Sequence, residues 1–174
     1  MILIALGSNL ASPAGSPAET VRAALAALTT NGIAPVKVSR LYATQAWPNP
    51  ADPPFVNAAA QVETELQPVQ LLHRLQRIER SFGRERDGGH NAPRVLDLDI
   101  LDYDGRVEGG PPTLPHPRIE SRAFVLVPLA ELAPYWRHPV SRRTAAELLV
   151  DLPDYSAQVR PLAPENGLPV EPAA

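Results

Sequence analysis

Cysteine is absent from this 174-residue chain. That removes disulfides, thiolate metal sites and a cysteine nucleophile, and it is compatible with a cytoplasmic location, which is the expectation here. Lysine is almost absent as well. Lys37 stands alone, so the other fifteen of the sixteen basic residues are arginine. No apolar run approaches the length of a membrane span, and no charged-then-apolar leader opens the chain, so no membrane partner is expected. A formal net charge of −3 argues against a nucleic-acid binder built on a wide basic surface. The Gly-x-x-x-x-Gly-Lys-Ser/Thr loop that cradles phosphates is missing, as are internal repeats. What remains is a chain with 44% hydrophobic residues, ordinary for a globular protein and long enough to bury one core. Of the 21 prolines, eight fall in 111–117 and 161–172, where they mark a loop and a tail.

What is present is most informative at Arg94-Val95-Leu96-Asp97-Leu98-Asp99-Ile100-Leu101. The alternation predicts a β-strand with Leu96, Leu98 and Ile100 on a core face and both carboxylates on the other. Two carboxylates side by side repel unless a cation lies between them. Hard cations such as Mg²⁺ take one or two carboxylates together with substrate phosphates. The alternative is an exposed strand face carrying two solvated acids. Around the pair stand Arg74, Arg77, Arg80, Arg84, Arg86 and Arg94, with Glu79 and His90 among them. Arginine forks onto phosphate oxygens, which lysine does not. Arg74, Arg77 and Arg80 have the spacing of one solvated helix side, whereas Arg84, Arg86 and Arg94 follow the helix end at Gly83 and lead to the acids.

The remaining elements can be placed from local signals. Ile2–Leu6 reads as a buried strand ending in a turn at Gly7-Ser8-Asn9. Ser16-Pro17-Ala18-Glu19 is a capping box with proline at the first helical position, opening a helix to about Thr30 with Gly32 after it. A strand-like stretch covers 33–44, a proline-broken loop follows at 47–54, and a second strand runs from Phe55 to Leu66. Pro68 opens a helix that buries Leu71, Leu72, Leu75 and Ile78 and stops at Gly83. The Asp-x-Asp strand turns at Asp104-Gly105, a hairpin signal. Short helices are expected over 122–132, stopped by Pro134, and near 145–152 behind a Thr144…Glu147 capping box. The order β-α-β-β-α-β predicts an α+β, ferredoxin-like fold: a four-stranded antiparallel sheet backed by two helices, with extra short C-terminal helices. If the sheet face away from the helices is open, it carries the Asp pair. Residues 1–160 are read as a single domain and 161–174 as a loose tail.

Taken together, Leu6-Gly7-Ser8-Asn9-Leu10, Tyr42-Ala43-Thr44, Phe55-Val56-Asn57-Ala58-Ala59, Gln76-Arg77-Ile78-Glu79, Gly83-Arg84-Glu85-Arg86, Pro93 to Ile100, Leu114-Pro115-His116-Pro117-Arg118 and Arg122 to Leu129 resemble the 6-hydroxymethyl-7,8-dihydropterin pyrophosphokinase family of folate biosynthesis. They keep its order and spacing to about residue 135. The resemblance implies pyrophosphoryl transfer from ATP to the pterin hydroxymethyl group with release of AMP. It implies that Asp97 and Asp99 hold two Mg²⁺ ions and that Arg84 and Arg94, with Arg86 nearby, clamp phosphate. By the same likeness His116 and Arg122 meet phosphate, and Gln76, Glu79 and Ile100 meet the nucleotide. Phe55 and Phe124 would sandwich the pterin, Asn57 would read its edge, and Thr44 belongs to the segment offering main-chain groups there. The implied partners are ATP and the pterin, and a monomer is expected.

Each of these residues has a plainer reading. Phe55 and Phe124 fit a core, Asn57 a turn cap, and Tyr42 a structural hydroxyl. His73 and His138 read as surface residues. Gly7 and Asn9 serve the strand-end turn, with Asn9 bracing the pterin-side loop. The chain departs from common family residues at His90, Asn91, Val95 and Pro117, while Gly88-Gly89 keeps the freedom a lid requires. No dedicated general base stands out, although Asp97 is a candidate. Two other functions compete: a ligand-binding ferredoxin-like regulatory module, and a two-metal nucleotidyltransferase that releases pyrophosphate.

Overall fold

The first strand decides the architecture because it is buried on both faces. In the computed structural model, which describes residues 1–45, 51, 53–83, 94–152 and 154–163, β1 (Ile2–Ser8) sends Ile2, Ile4 and Leu6 into one core and Leu3 into another. Such a strand must lie inside a sheet covered on both sides. Its antiparallel neighbours are β4 (Phe55–Glu63) and β5 (Asp97–Tyr103). On the far flank β4 pairs with both β2 (Ala34–Val38) and β3 (Tyr42–Thr44), which take its two halves in turn. The order β5-β1-β4-β3 is extended by β6 (Val159–Pro161), giving an antiparallel sheet of six strands.

The α+β expectation therefore holds, while the sheet has six strands in place of four. Two departures account for the difference. The stretch read as one strand over 33–44 is interrupted at Ser39, whose hydroxyl oxygen accepts from Ala59 N at 3.0 Å while its own N–H donates to Ala59 O at 2.9 Å. The supposed loose tail begins with backbone pairing: Pro161 lies opposite Tyr42, and Leu162 N donates to Leu41 O at 2.8 Å. Residues 164–174 lie outside the described part.

Helices α1 (Pro17–Thr30) and α2 (Pro68–Ser81) pack on the first face. Both halves of the predicted capping box form at Ser16 and Glu19, and Gly32 and Gly83 take φ of +75° and +89° beyond the two helix ends. Val21, Ala24 and Leu28 of α1, with Leu71, Leu75 and Ile78 of α2, meet Ile4, Leu6, Ala60, Leu98 and Ile100 of the sheet. The second face is not open throughout. Helices α3 (Ala123–Leu132) and α4 (Ala145–Leu149) lie over Leu3, Ala59 and Leu101, together with Ile119 and Trp136. The short helix α5 (Tyr155–Gln158) leads into β6. Among the described residues no helix is long and apolar enough to cross a membrane.

A β-bulge sets what β5 shows to each face. Leu3 pairs with Asp102 and Ile4 with Ile100, so Leu101 is the extra residue. Leu101 joins the second core, on the face of Asp97 and Asp99, while Tyr103 falls in the first, where strict alternation would have placed Asp102. Asp102 is thereby turned to the second face. One of its oxygens accepts from Trp136 Nε1 at 2.7 Å and the other from Gly105 N at 3.0 Å, and only 3% of the residue is exposed. The turn at Asp104-Gly105 forms with φ of +53° and +68°, and the chain after it makes a small bridge between Glu108 and Leu114. His138, read as a surface residue, is buried, with its ring edge-on to Trp136 at 6.0 Å.

Removing the Asp102 carboxylate leaves the buried Trp136 N–H without its acceptor. Asp102→Ala should lower stability by about 2 kcal/mol, the usual cost of losing a buried charged hydrogen bond. Urea denaturation would show this as a lower midpoint, and an unchanged midpoint would refute the assignment.

Candidate active site

Beyond the ground covered by α3 and α4, the second face carries a row of polar and small residues in register. Asp97 lies opposite Gly7, Gly7 opposite Asn57, and Asn57 opposite Tyr42. Asp99 lies opposite Ala5, and Phe55 opposite Thr44. Asn57 Nδ2 donates to Thr44 Oγ1 at 2.8 Å, which turns Oδ1 of the amide toward Gly7. A Cβ at position 7 would come within 3.1 Å of that oxygen, so glycine leaves the room the amide needs.

β5 is an edge strand, and a cavity of about 170 Å³ wraps around it. Leu72, Gln76 and Glu79 of α2 line one side. Arg94, Asp97, Leu98 and Asp99 form the strand side, and His116, Arg118 and Arg122 close the other. Glu79, only 3% exposed, accepts the main-chain N–H of Leu98 at 2.8 Å and so satisfies an outward group of the edge strand.

The two acids meet positive charge from different elements. Arg94 Nη1 lies 2.9 Å from Asp97 Oδ2, and Arg122 Nη1 lies 3.7 Å from Asp99 Oδ2. His116 Nε2 stands 3.6 Å from the same Asp99 oxygen. Burial, reinforced by the Arg122 and Arg118 guanidinium groups, lowers the His116 pKa to about 4. Its Nδ1 accepts from Arg118 N at 3.1 Å, so the neutral ring carries its proton on Nε2, toward Asp99. Burial and then Arg118 also pull the Arg122 pKa down, while Asp99 and Asp97 pull it up. An arginine so placed stays cationic.

The aromatic pair is not core. Phe124 is 38% exposed at the start of α3, with the Arg122 guanidinium 5.4 Å from its ring centre, and Phe55 is partly exposed. Neither belongs to the two core clusters. The Tyr42 hydroxyl is structural: it donates to Glu131 of α3 beside Arg40, and burial first, then Glu131, pushes its pKa up.

The cavity thus unites Gln76, Glu79, Arg94, Asp97, Asp99, His116 and Arg122. Thr44, Phe55 and Asn57 lie beside it on the sheet, and Phe124 follows Arg122. Ile100 does not line it, since its side chain is buried in the first core. Arg84, Arg86, His90 and Asn91 lie outside the described residues. Arg118 and Leu72 line the cavity although the sequence reading gave them no role. For Arg118 the available signal was its place in the Pro-His-Pro-Arg run. Among the described residues no cluster of three or more His, Cys, Asp or Glu side chains is placed to hold a metal, so Asp97 and Asp99 offer two carboxylates and no closed cage.

The pattern of the 7,8-dihydro-6-hydroxymethylpterin-pyrophosphokinase family matches residues 3–134. A 2-amino-4-hydroxy-6-hydroxymethyldihydropteridine pyrophosphokinase of Synechocystis is 37% identical over 174 residues, covering 98% of this chain and 85% of the relative. The protein of the same name from Pseudomonas aeruginosa is 44% identical over 157 residues, 87% of this chain and 91% of its own. The folic acid synthesis protein fol1 of Pneumocystis carinii is 34% identical over 94% of this chain, which spans 21% of that longer protein.

A histidine held near pKa 4 carries a thermodynamic signature. The unfolded chain binds more protons than the folded one between about 6.5 and about 4, so His116 costs stability as pH falls through that window and costs nothing above it. An NMR titration of the His116 ring should give a midpoint of about 4 in the unliganded protein. A midpoint near the ordinary value of 6.5 would overturn the picture of a buried neutral ring.

Proposed function

The chain belongs to the 7,8-dihydro-6-hydroxymethylpterin-pyrophosphokinase family, and on that premise we propose how its residues carry out the reaction. It is an ATP-dependent diphosphotransferase of folate synthesis: pyrophosphate passes from ATP to 6-hydroxymethyl-7,8-dihydropterin, giving AMP and the pterin diphosphate. The observation that carries the assignment of parts is the meeting, around one edge strand, of two same-face carboxylates with Arg94, Arg122 and a neutral histidine.

The donor set suits Mg²⁺. Asp97 and Asp99 supply hard oxygen ligands from one face, and ATP phosphates and water complete the coordination such an ion prefers. Two bound Mg²⁺ ions would neutralise phosphate charge and align the reacting groups. Arg94 and Arg122 hold phosphate oxygens, and His116 donates from Nε2 without adding charge. Arg84 and Arg86 join them by family likeness. Gln76 and Glu79 face the nucleotide from α2. Ile100 contributes through its main chain: the outward N–H of Leu98 two residues earlier shows which way the edge of β5 points. Phe55 and Phe124 sandwich the pterin, Asn57 reads its edge through Oδ1, and Thr44 keeps that amide turned. The hydroxymethyl oxygen attacks the β-phosphorus, the bond to the oxygen bridging the α-phosphorus breaks, and AMP leaves with that oxygen. Asp97, the carboxylate in line with Asn57 across the sheet, is the candidate to orient or accept the hydroxyl proton.

The sheet is read as a ferredoxin-like βαββαβ unit. β2 and β3 share one flank of β4 and so fill a single strand position, and β6 is an addition. The chain is read as one domain that takes in the pairing of Pro161 and Leu162 beside β3, with a tail after it, and the protein acts as a cytoplasmic monomer without nucleic-acid or membrane partners.

Incubation with Mg²⁺, ATP and the pterin should yield AMP and pterin diphosphate without free pyrophosphate. Free pyrophosphate with an adenylated product would point to a nucleotidyltransferase, and binding without AMP to a regulatory module. Asp97→Ala and Asp99→Ala should each cut turnover by about a thousandfold or more. Near-normal turnover in either variant would refute the roles given to the two acids.

A further inference from the structure

We infer that Asn9 is a positioning residue that ties the phosphate side of the site to its pterin side. This rests on the pyrophosphokinase reading. Asn9 directly follows β1 and is 2% exposed. It makes three hydrogen bonds to segments distant in sequence. Its Oδ1 accepts from Arg94 N at 2.7 Å, and its own N–H donates to Arg94 O at 3.1 Å. Its Nδ2 donates to Pro53 O at 3.2 Å. The amide orientation follows from the partners, because one arm faces an N–H and the other a carbonyl.

Each arm ends at one half of the site. Arg94 is gripped at both main-chain groups, and its guanidinium reaches Asp97 at 2.9 Å. Pro53 stands two residues before Phe55, where β4 begins and leads to Asn57. One buried side chain therefore sets where the arginine starts and where the ring-bearing strand is entered. A residue that merely closed a turn would bond within its own segment, as Ser8 does with Leu10 O. Asn9 instead spans 44 and 85 residues of sequence. Asn9 acts through Arg94 and Phe55 and not on either substrate directly.

The two arms can be separated chemically. Asn9→Asp keeps an oxygen for Arg94 N and loses the donor for Pro53 O, and Asn9→Ala loses both. Binding of the pterin and of a non-hydrolysable ATP analogue, each with Mg²⁺, is measured by calorimetry on protein shown folded by circular dichroism. AMP release is followed alongside. Asn9→Ala should weaken both ligands by about tenfold, the size expected when a buried hydrogen-bond partner is lost. Asn9→Asp should weaken the pterin by a similar factor and the ATP analogue by clearly less. Unchanged affinities in folded Asn9→Ala, or equal losses for both ligands in Asn9→Asp, would overturn the proposal, and a lowered melting temperature alone would do the same. Affinity is read apart from turnover. A wild type that binds both ligands without releasing AMP sinks the pyrophosphokinase reading, while the affinity ratios still decide the role of Asn9.

Discussion

Two negative charges on one face of one strand are the constraint around which this molecule is arranged. Residues two apart along a strand lie roughly 6.5 Å apart, and at an effective dielectric of about 20 two carboxylates at that distance repel by about 2.5 kcal/mol. Arg94 and Arg122 each take one acid, from different segments of the cavity wall. Burial, with Arg122 and Arg118, decides the state of His116. A histidine beside a carboxylate normally gains a proton, yet here burial and two arginines prevent it. The cavity walls carry Arg94, Arg118 and Arg122 against Glu79, Asp97 and Asp99, and a neutral donor completes them. A site balanced in this way can accept a polyphosphate together with its counter-cations without a large change in total charge.

The same strand must also serve the core, and the bulge at Leu101 reconciles the two demands. Asp97 and Asp99 face the cavity end of the second sheet face, whereas Asp102 faces the covered end and is spent on Trp136 and Gly105. Strict alternation would have driven Asp102 into the helix-packed core beside Leu98 and Ile100, on the face that Tyr103 takes instead. Small residues do the complementary work on the neighbouring strands. Gly7 makes room for the Asn57 amide, and Ala5 and Ala59 carry the sheet under the edge of α3. The site therefore exists because only part of this face is roofed.

Local signals in the sequence were read well, and non-local ones were not. The capping boxes at Ser16 and Thr144, the glycines after both long helices and the same-face acids depend on neighbours within four residues, and all form as read. The break at Ser39 depends on Ala59, and the docking of β6 on β3. None of these partners is adjacent in sequence. The bulge is a two-strand property, invisible in the alternation of either strand alone. For the site, the family likeness supplied the residue set and the structure supplied its division. Seven of the named residues line one cavity, Thr44, Phe55 and Asn57 stand on β3 and β4 of the same sheet, and Ile100 has its side chain in the core.

An edge strand is an awkward place for chemistry, since its outward main-chain groups are unpaired by design of the sheet. Here that edge is used. Glu79 reaches from α2 to take the N–H of Leu98, fixing the strand that bears both acids to the helix that bears Gln76. A carboxylate so buried and so committed fixes the position of β5. Asn9 performs the matching task at the start of the same segment by holding Arg94 at both main-chain groups. The acids are thus anchored by buried polar groups that need not touch substrate, and their spacing is set before any phosphate arrives.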